Sequence, residues 1–367
     1  MILNKLSVIN YKNIVQADFS CSPKMNCFFG NNGMGKTNLL DAIFYLSFCK
    51  SHLNTPDAMI IRHDEDVCVL QGEYDDGEKS ENIFCCIRRG QRKQLKRNQK
   101  SYDKLSEHIG LLPLVMVSPS DVDLIRGGSD ERRRFMDMVI SQHDKNYLYA
   151  LIQYNKALMQ RNQLLRNESR EDDLFDVLEM QMAAHGQVIF EKREKMVREF
   201  TPFFNDYYQH ICHSTETVGL QYVSQLADCR LDEKLASRRE QERIVGHSLT
   251  GIHKDDIEMK LGDYLMRQTG SQGQNKSCLI SLKLAQFTFL TERSKTKPIL
   301  LLDDIFDKLD AERVEQIIGL VGNEQFGQIF ITDTNRKYLD RILAAAGNDY
   351  SLYRVEAGEV TYLEDAL

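Results

Sequence analysis

No apolar run in this chain of 367 residues approaches the roughly 18 residues that a transmembrane helix needs. The start, residues 1–13, alternates like a strand and lacks the long apolar centre of a signal peptide. Proline occurs six times and glycine 21 times, and there is no low-complexity tract, which excludes a fibrous or disordered chain. No Cys-x-x-Cys pair exists among the nine cysteines. Their number is odd and only Cys85 and Cys86 are neighbours, so they read as buried thiols of a cytosolic protein. Basic residues are outnumbered, 47 against 54, for a net charge of −7, and on that balance alone nucleic acid is a poor choice of partner. What the chain does have is apolar mass: 42% of its residues are hydrophobic, enough for about two or three packed lobes.

The pattern along the chain changes twice. Ile2, Leu6, Val8 and Ile9 are strand-like. A second apolar strand, residues 25–29, runs into a glycine-rich loop, and Leu40, Ile43, Phe44 and Ser47 then recur at helical spacing with an apolar face turned inward. Residues 57–117 read as a mainly antiparallel sheet, punctuated by Asp75-Asp76-Gly77 and Arg89-Gly90. From 131 to 213 the spacing is helical, broken near Asn167-Glu168-Ser169, which predicts a helical hairpin. The last third returns to α/β, with a hairpin turn at Leu261-Gly262-Asp263-Tyr264, a helix after Gly270, and two apolar strands, 299–302 and 328–332, around a helix marked by Val314, Ile317, Ile318 and Val321. Buried strands linked through a helix predict a parallel sheet covered on both faces.

Gly30, Asn31, Asn32, Gly33, Met34, Gly35, Lys36 and Thr37 fit the phosphate-binding pattern G-x-x-x-x-G-K-[ST] at every position. Glycines let backbone N–H groups turn inward around an anion, and the following helix presents its positive end. Lys36 neutralises β- and γ-phosphates in such a loop, and Thr37 offers a hydroxyl to Mg²⁺. A chain of this length matches the pattern by chance about once in a hundred sequences. The second acidic position such a loop needs is supplied where residues 299–302 end in Asp303-Asp304: Asp303 is the metal-linked acid and Asp304 is placed to orient or deprotonate the attacking water. Ser271-Gln272-Gly273-Gln274 opens a helix. Ser271 suits an N-cap, and the same small, polar helix start suits contact with a phosphate on a partner molecule; both readings stand.

These segments, in this order and with Asn10-Tyr11-Lys12-Asn13 ahead of the loop, resemble an ABC-type ATPase head of the SMC-like kind. Further stretches narrow the resemblance: Ser118-Pro119; Gly127 with Arg132-Arg133 and Phe135 to Asp137; Tyr154 to Leu158 with Gln160-Arg161-Asn162; Gly251 to Asp256; and Asp303-Asp304 with Leu309-Asp310. Over nearly the whole chain they resemble the RecF family of bacterial recombination mediators. The resemblance implies an α/β P-loop head, a mixed sheet with flanking helices, and an inserted mainly helical lobe. Residues 1–120 and 286–367 would form the ATPase lobe, and 121–285 the helical lobe ending in the signature segment. It also implies ATP and Mg²⁺ as cofactors and a weak, DNA-stimulated ATPase used as a switch. The partners implied are an ATP-dependent second copy, DNA (single-stranded, duplex and gapped) and RecR- and RecO-like mediators, in the cytoplasm at the nucleoid. Lys12 and Asn38 become extra phosphate contacts, Ser271, Gly273 and Gln274 face the nucleotide of the other protomer, and residues 307–310 lie along the dimer seam.

Departures from transporter ATPases point to slow turnover. The signature reads Ser-Gln-Gly-Gln, residues 118–121 offer no glutamine, and Thr332, Asp333 and Thr334 stand where a histidine is usual. Local charge qualifies the acidic total: Arg88, Arg89, Arg92, Lys93, Lys96, Arg97 and Lys100 crowd 13 acid-free residues, readable as a hairpin tip on DNA phosphates or as a solvated loop for an acidic partner. Arg132, Arg133 and Arg134 follow Asp130 and Glu131, so salt bridges compete with DNA there. His210, Cys212 and His213 point around a helix and do not make a metal site. The rival readings are a transport-type ATPase subunit, which lacks its switch residues here, and an ATPase-linked nuclease, for which the chain leaves no acidic metal domain.

Overall fold

The computed structural model describes residues 1–212, 216–306, 309, 311–322, 325–346 and 349–363. His213 and, from the expected dimer seam, Asp307, Lys308 and Asp310 lie outside the described residues. The chain divides into two units: Met1–Asp121, His210–His213 and Ile280–Leu367 form the first, Val122–Gln209 and Ser214–Leu279 the second.

In the first unit the opening alternation becomes the strand Ile2–Tyr11, with Leu3, Leu6, Val8 and Tyr11 buried. It lies in an antiparallel sheet of spatial order Ile14–Ser20, Ile2–Tyr11, Val67–Asp75, Ser80–Arg88, Gln94–Arg97, Lys100–Ser101. A second sheet has the order Glu359–Tyr362, Tyr350–Glu356, Met25–Phe29, Ile329–Asp333, Ile299–Asp303, Leu114–Val117, and all its pairings are parallel except the hairpin of the first two strands. The sequence placed everything up to residue 117 in the antiparallel sheet. Leu114–Val117 instead pairs in parallel with Ile299–Asp303. All four of its residues are buried, and an apolar run without alternation suits a strand covered on both faces.

Between these sheets the helix Lys36–Phe48 touches strands of both. The expected inward-facing stripe proves too modest, since the helix is buried on nearly every side, Asp41 and Ser47 included. One side chain also joins the sheets directly. The buried Gln328 amide donates to the carbonyls of Leu3 (2.8 Å) and Ser22 (2.7 Å), while its oxygen accepts the Leu3 N–H at 2.7 Å.

The second unit holds the helices Ser129–Ser141, Lys145–Arg166 and Asp172–Cys212, the last two meeting as the predicted hairpin. It adds the helix Leu231–Val245 and a small sheet of Val218–Val223, Asp256–Leu261 and Tyr264–Leu265, with Gly262 at φ 56° in the turn the sequence marked. Its core is ionic as well as apolar. Arg161, fully buried, reaches Glu179 (2.9 Å), Glu242 (2.5 Å) and the Ser248 hydroxyl (2.7 Å). Arg193, 1% exposed, pairs with Asp137 (2.8 Å) and Asp255 (3.0 Å) and donates to the Tyr147 hydroxyl. Arg132 makes a two-pronged pair with Asp256, and Arg133 and Arg134 bridge to Asp130 and Glu131. The segments around residues 132–137, 154–162 and 251–256 that carry the family resemblance therefore act, in large part, as internal braces. Burial drops the His253 pKa to about 4, so its neutral ring accepts from Tyr154 and donates to the Ser248 carbonyl.

Breaking such a pair leaves a buried charge uncompensated. Arg193→Met should lower the unfolding free energy by about 3–5 kcal/mol, read as a lower urea midpoint at unchanged slope; an unshifted midpoint would show that the network contributes nothing.

Candidate nucleotide-binding site

The strand Met25–Phe29 lies inside the parallel sheet, and the Gly30–Thr37 loop leaves its carboxyl end to enter the buried helix. The carboxyl ends of the neighbouring strands, at Asp303 and Asp333, open on the same edge, where α/β sheets place ligands. Two glycines are required by contact. A β-carbon on Gly30 would sit 2.2 Å from the Val355 carbonyl oxygen, and one on Gly35, at φ 111°, 2.9 Å from the Asn13 side chain. Asn31, Asn32 and Gly33 are exposed, leaving the loop backbone accessible. Met34 is an anchor: its carbonyl accepts from Gly358 (3.0 Å) and its sulfur from the Ala357 N–H (3.3 Å). Lys36, 4% exposed, lays its ammonium across the loop onto the carbonyls of Gly30 (2.8 Å) and Asn31 (3.1 Å).

Thr37 and Asp303, 266 positions apart, meet: the Thr37 hydroxyl donates to Asp303 Oδ1 at 3.0 Å, and the Thr332 hydroxyl donates to the same oxygen at 2.7 Å. Burial raises the Asp303 pKa, and these two hydrogen bonds work against that rise. Asp304 takes the left-handed conformation at φ 45°, held by its N–H to Thr332 (Oγ1 at 3.1 Å). Its Oδ1 is buried and, among the described residues, has no hydrogen-bond partner. A threonine hydroxyl on a carboxylate, beside a second carboxylate with an uncommitted oxygen, fits Mg²⁺, which takes one or two protein oxygens and completes its shell with phosphate and water.

The residues named as extra phosphate contacts are engaged with the protein. Lys12 pairs with Asp41 at 2.6 Å and approaches Ser51, and the Asn38 amide donates to Asn13 Oδ1 at 2.7 Å, while Asn13 itself donates to the Gly33 carbonyl. In the second unit, Ser271 and Gln274 form a reciprocal cap: the Ser271 hydroxyl accepts the Gln274 N–H (3.2 Å) and the Gln274 side chain accepts the Ser271 N–H (2.9 Å). Ser271 remains exposed, Gly273 half-buried, at the start of the helix Gln272–Arg293.

The seven-cation stretch is divided by the fold. Arg97 is committed to Glu81, Lys93 to Asp57 and the Cys49 carbonyl, and Arg89 to the carbonyls of Glu65 and Ala58. Lys96 lies over the Phe84 ring. Arg88, Arg92 and Lys100 stay exposed, Lys100 on the sheet's edge strand, Arg88 at the end of Ser80–Arg88 and Arg92 in the loop after it.

Sequence reasoning passed over Asp41, His52 and Lys283. Asp41 accepts from Tyr11, Lys12, Ser51 and the His52 N–H, all within 2.8 Å. Asp121, noted only for not being glutamine, pairs with His52 (3.4 Å) and Lys283 (3.0 Å). The available signal was Lys283 itself, the one charged residue in the mostly apolar stretch 278–287. Burial alone would raise Asp121, but Lys283 and His52 outweigh it and hold the pKa at about 2.

The profile described as RecF/RecN/SMC N terminal domain matches residues 2–358. The chain is 68% identical over the full length of both proteins to the DNA replication and repair protein RecF of Parabacteroides distasonis, and 56% identical to that of Bacteroides fragilis, covering 100% of this chain and 99% of the relative. Among solved structures, the recombination mediator protein RecF with ATP in the RecFOR pathway superposes with a TM-score of 0.88 at 27% identity, covering 99% and 97% of the two chains. An Smc head bound to the C-winged helix domain of ScpA shares the fold, at TM-score 0.60 and 15% identity over 99% and 98%. Fold and site thus define a P-loop head of the ABC ATPase type. Within that class, the chain belongs to the RecF family.

A carboxyl held near pH 2 against about 3.9 when unfolded stabilises the fold above the unfolded value, and that contribution disappears as the pH falls through about 2. Asp121→Asn should therefore cost about 2 kcal/mol near neutrality, and the gap between the two denaturation midpoints should close as the pH is lowered from about 5 to about 2. A gap independent of pH would assign the loss to packing.

Proposed function

We propose that this protein binds ATP with Mg²⁺ and closes as an ATP-dependent homodimer on DNA, acting in the recombinational repair of single-strand gaps and stalled replication. The observation that carries the reading is the junction of Thr37 with Asp303 beside a glycine loop bridged by Lys36. Its relatives, DNA replication and repair proteins and an ATP-bound recombination mediator, support it.

In this reading the nucleotide-binding lobe is 1–120 with 286–367, and the lobe 121–285 carries the signature. The backbone from Gly30 to Gly35 receives the phosphates and Lys36 moves its ammonium from loop carbonyl to phosphate oxygen. Thr37 and Asp303 hold the metal, which when bound neutralises charge developing on the phosphates. Asp304 orients and deprotonates water. Lys12 and Asn38 act from behind the loop, through Asp41 and Asn13. Ser271, its lone pair satisfied by the Gln274 N–H, keeps its O–H free to donate to the γ-phosphate held by a second copy, with Gly273 and Gln274 beside it. Hydrolysis is slow and serves as a release step. RecR- and RecO-like mediators are the protein partners, in the cytoplasm at the nucleoid. DNA is met by its phosphates, with Arg88, Arg92 and Lys100 the exposed cations of the basic stretch.

Light scattering with and without ATP and Mg²⁺ tests the dimer. The wild type should double in mass with ATP, Lys36→Ala should neither bind ATP nor dimerise, and Ser271→Arg should bind ATP and stay monomeric. Association that ignores nucleotide would sink the model. For DNA, the triple variant Arg88→Gln, Arg92→Gln, Lys100→Gln should flatten the salt dependence of duplex binding by about 0.9 in log–log slope for each phosphate no longer neutralised; an unchanged slope removes this edge from the footprint.

A further inference from the structure

Two hairpin turns of the first unit meet at the phosphate loop. One is Lys12-Asn13, between the strands Ile2–Tyr11 and Ile14–Ser20, and the other is Ala357-Gly358, between Tyr350–Glu356 and Glu359–Tyr362. The turns touch: Gly358 is buried, and a β-carbon on it would sit 2.5 Å from the Asn13 carbonyl oxygen. Ala357 and Gly358 have φ of 50° and 83°, the two positive angles that a type I′ hairpin turn needs. Alanine seldom adopts such an angle, so the turn keeps a shape that its own sequence resists at one position.

A two-residue turn bonds its outer residues to each other and leaves its two central N–H groups over. Here both go to one residue of the phosphate loop: the Gly358 N–H donates to the Met34 carbonyl at 3.0 Å, and the Ala357 N–H to the Met34 sulfur at 3.3 Å. The other turn takes the carbonyl just before it. The Asn13 amide donates to the Gly33 carbonyl at 3.2 Å, while its oxygen is held by the Asn38 amide at 2.7 Å. Two successive carbonyls of the loop are thus committed to the hairpins. In a trans peptide C=O and N–H point in opposite directions, so the N–H groups of Met34 and Gly35 are turned away from the hairpins. Gly33 and Gly35, at φ 80° and 111°, flank these peptides. Glycine accepts either orientation of a neighbouring peptide, so the direction of the two N–H groups is set by what holds the carbonyls.

We propose that Gly358 is a positioning residue of the phosphate site: the Ala357-Gly358 turn holds the Met34 carbonyl, Asn13 holds that of Gly33, and together they aim two loop N–H groups at the phosphates of a bound nucleotide. The turn itself touches no nucleotide. The proposal rests on the reading that the Gly30–Thr37 loop binds ATP. Linkage makes the effect reciprocal: a turn that favours the ATP-ready loop is itself favoured by ATP, through the bond from Gly358 to Met34.

The test uses the full-length protein, with ATP affinity measured in the presence of Mg²⁺, the thermal midpoint, and amide hydrogen exchange in the segment 355–362 with and without ATP. In the wild type ATP should slow exchange at this turn by about threefold or more, a response that a merely structural hairpin does not give. Gly358→Ala drives a methyl against the Asn13 carbonyl and should weaken ATP binding by about tenfold or more. Ala357→Gly and Ala357→Asn accept the positive φ and keep both N–H groups, so they should bind ATP within about twofold of wild type. Should Gly358→Ala fail to fold, the exchange measured on the wild type still decides. Exchange at the turn that ignores ATP, or a Gly358→Ala protein with a lowered midpoint and wild-type affinity, would overturn the proposal and leave ATP binding standing. A wild type that does not bind ATP would overturn the underlying reading itself.

Discussion

A glycine loop can cradle an anion only if its backbone is held in one shape without the anion's help, and here the helix behind the loop does the holding. That helix, Lys36–Phe48, is enclosed by two sheets and buried on nearly all sides, so Lys36 and Thr37 leave an immobile stem. The enclosure brings its own demand, because Asp41 enters the core with the helix. Its two oxygens accept four hydrogen bonds, from Tyr11, Lys12, Ser51 and the His52 backbone. A buried carboxylate satisfied in this way is high-stakes: it fixes the turn before the loop, the chain after the helix and the helix itself to one another.

Much of this was legible from the residues. The loop pattern, the apolar strand ending in Asp303-Asp304 and the helical hairpin broken near residue 167 all follow from spacing, because each is a local pattern with a local cause. What stayed hidden was decided by partners far away in the chain. Leu114–Val117 reads as one more strand of the sheet it follows, and only the neighbouring Ile299–Asp303 draws it into the other. The helix Leu231–Val245 has almost no apolar face to betray it; Arg239 and Arg243 secure it to Asp172, Asp176 and Glu179 instead. The basic stretch from Arg88 to Lys100 shows the same limit from the other side. Composition counts seven cations as one patch, whereas Glu81 and Asp57, one on the adjacent strand and one on another element, remove Arg97 and Lys93 from it.

Net charge is similarly redistributed by folding. The −7 total averages over arginines that never meet solvent: Arg161 and Arg193 neutralise Glu179, Glu242, Asp137 and Asp255 inside the second unit. These pairs are weak testimony to stability as such, since desolvation offsets much of their attraction. They do forbid alternatives, because a register that separated one partner from the other would strand a charge in the core.

The Gln328 amide has a consequence for how the protein comes into being. It closes on Leu3 and Ser22, and the sheet it serves is assembled from strands near residues 25, 114, 299, 329 and 350. As the chain leaves the ribosome, residues 122–279 emerge as an almost unbroken run and possess their own core, whereas the strand Met25–Phe29 must wait for the last fifth of the chain before its neighbours in the sheet exist. The phosphate-loop strand is therefore completed last: a chain interrupted before residue 299 carries the Gly30–Thr37 loop but lacks Asp303 and both strands that flank Met25–Phe29.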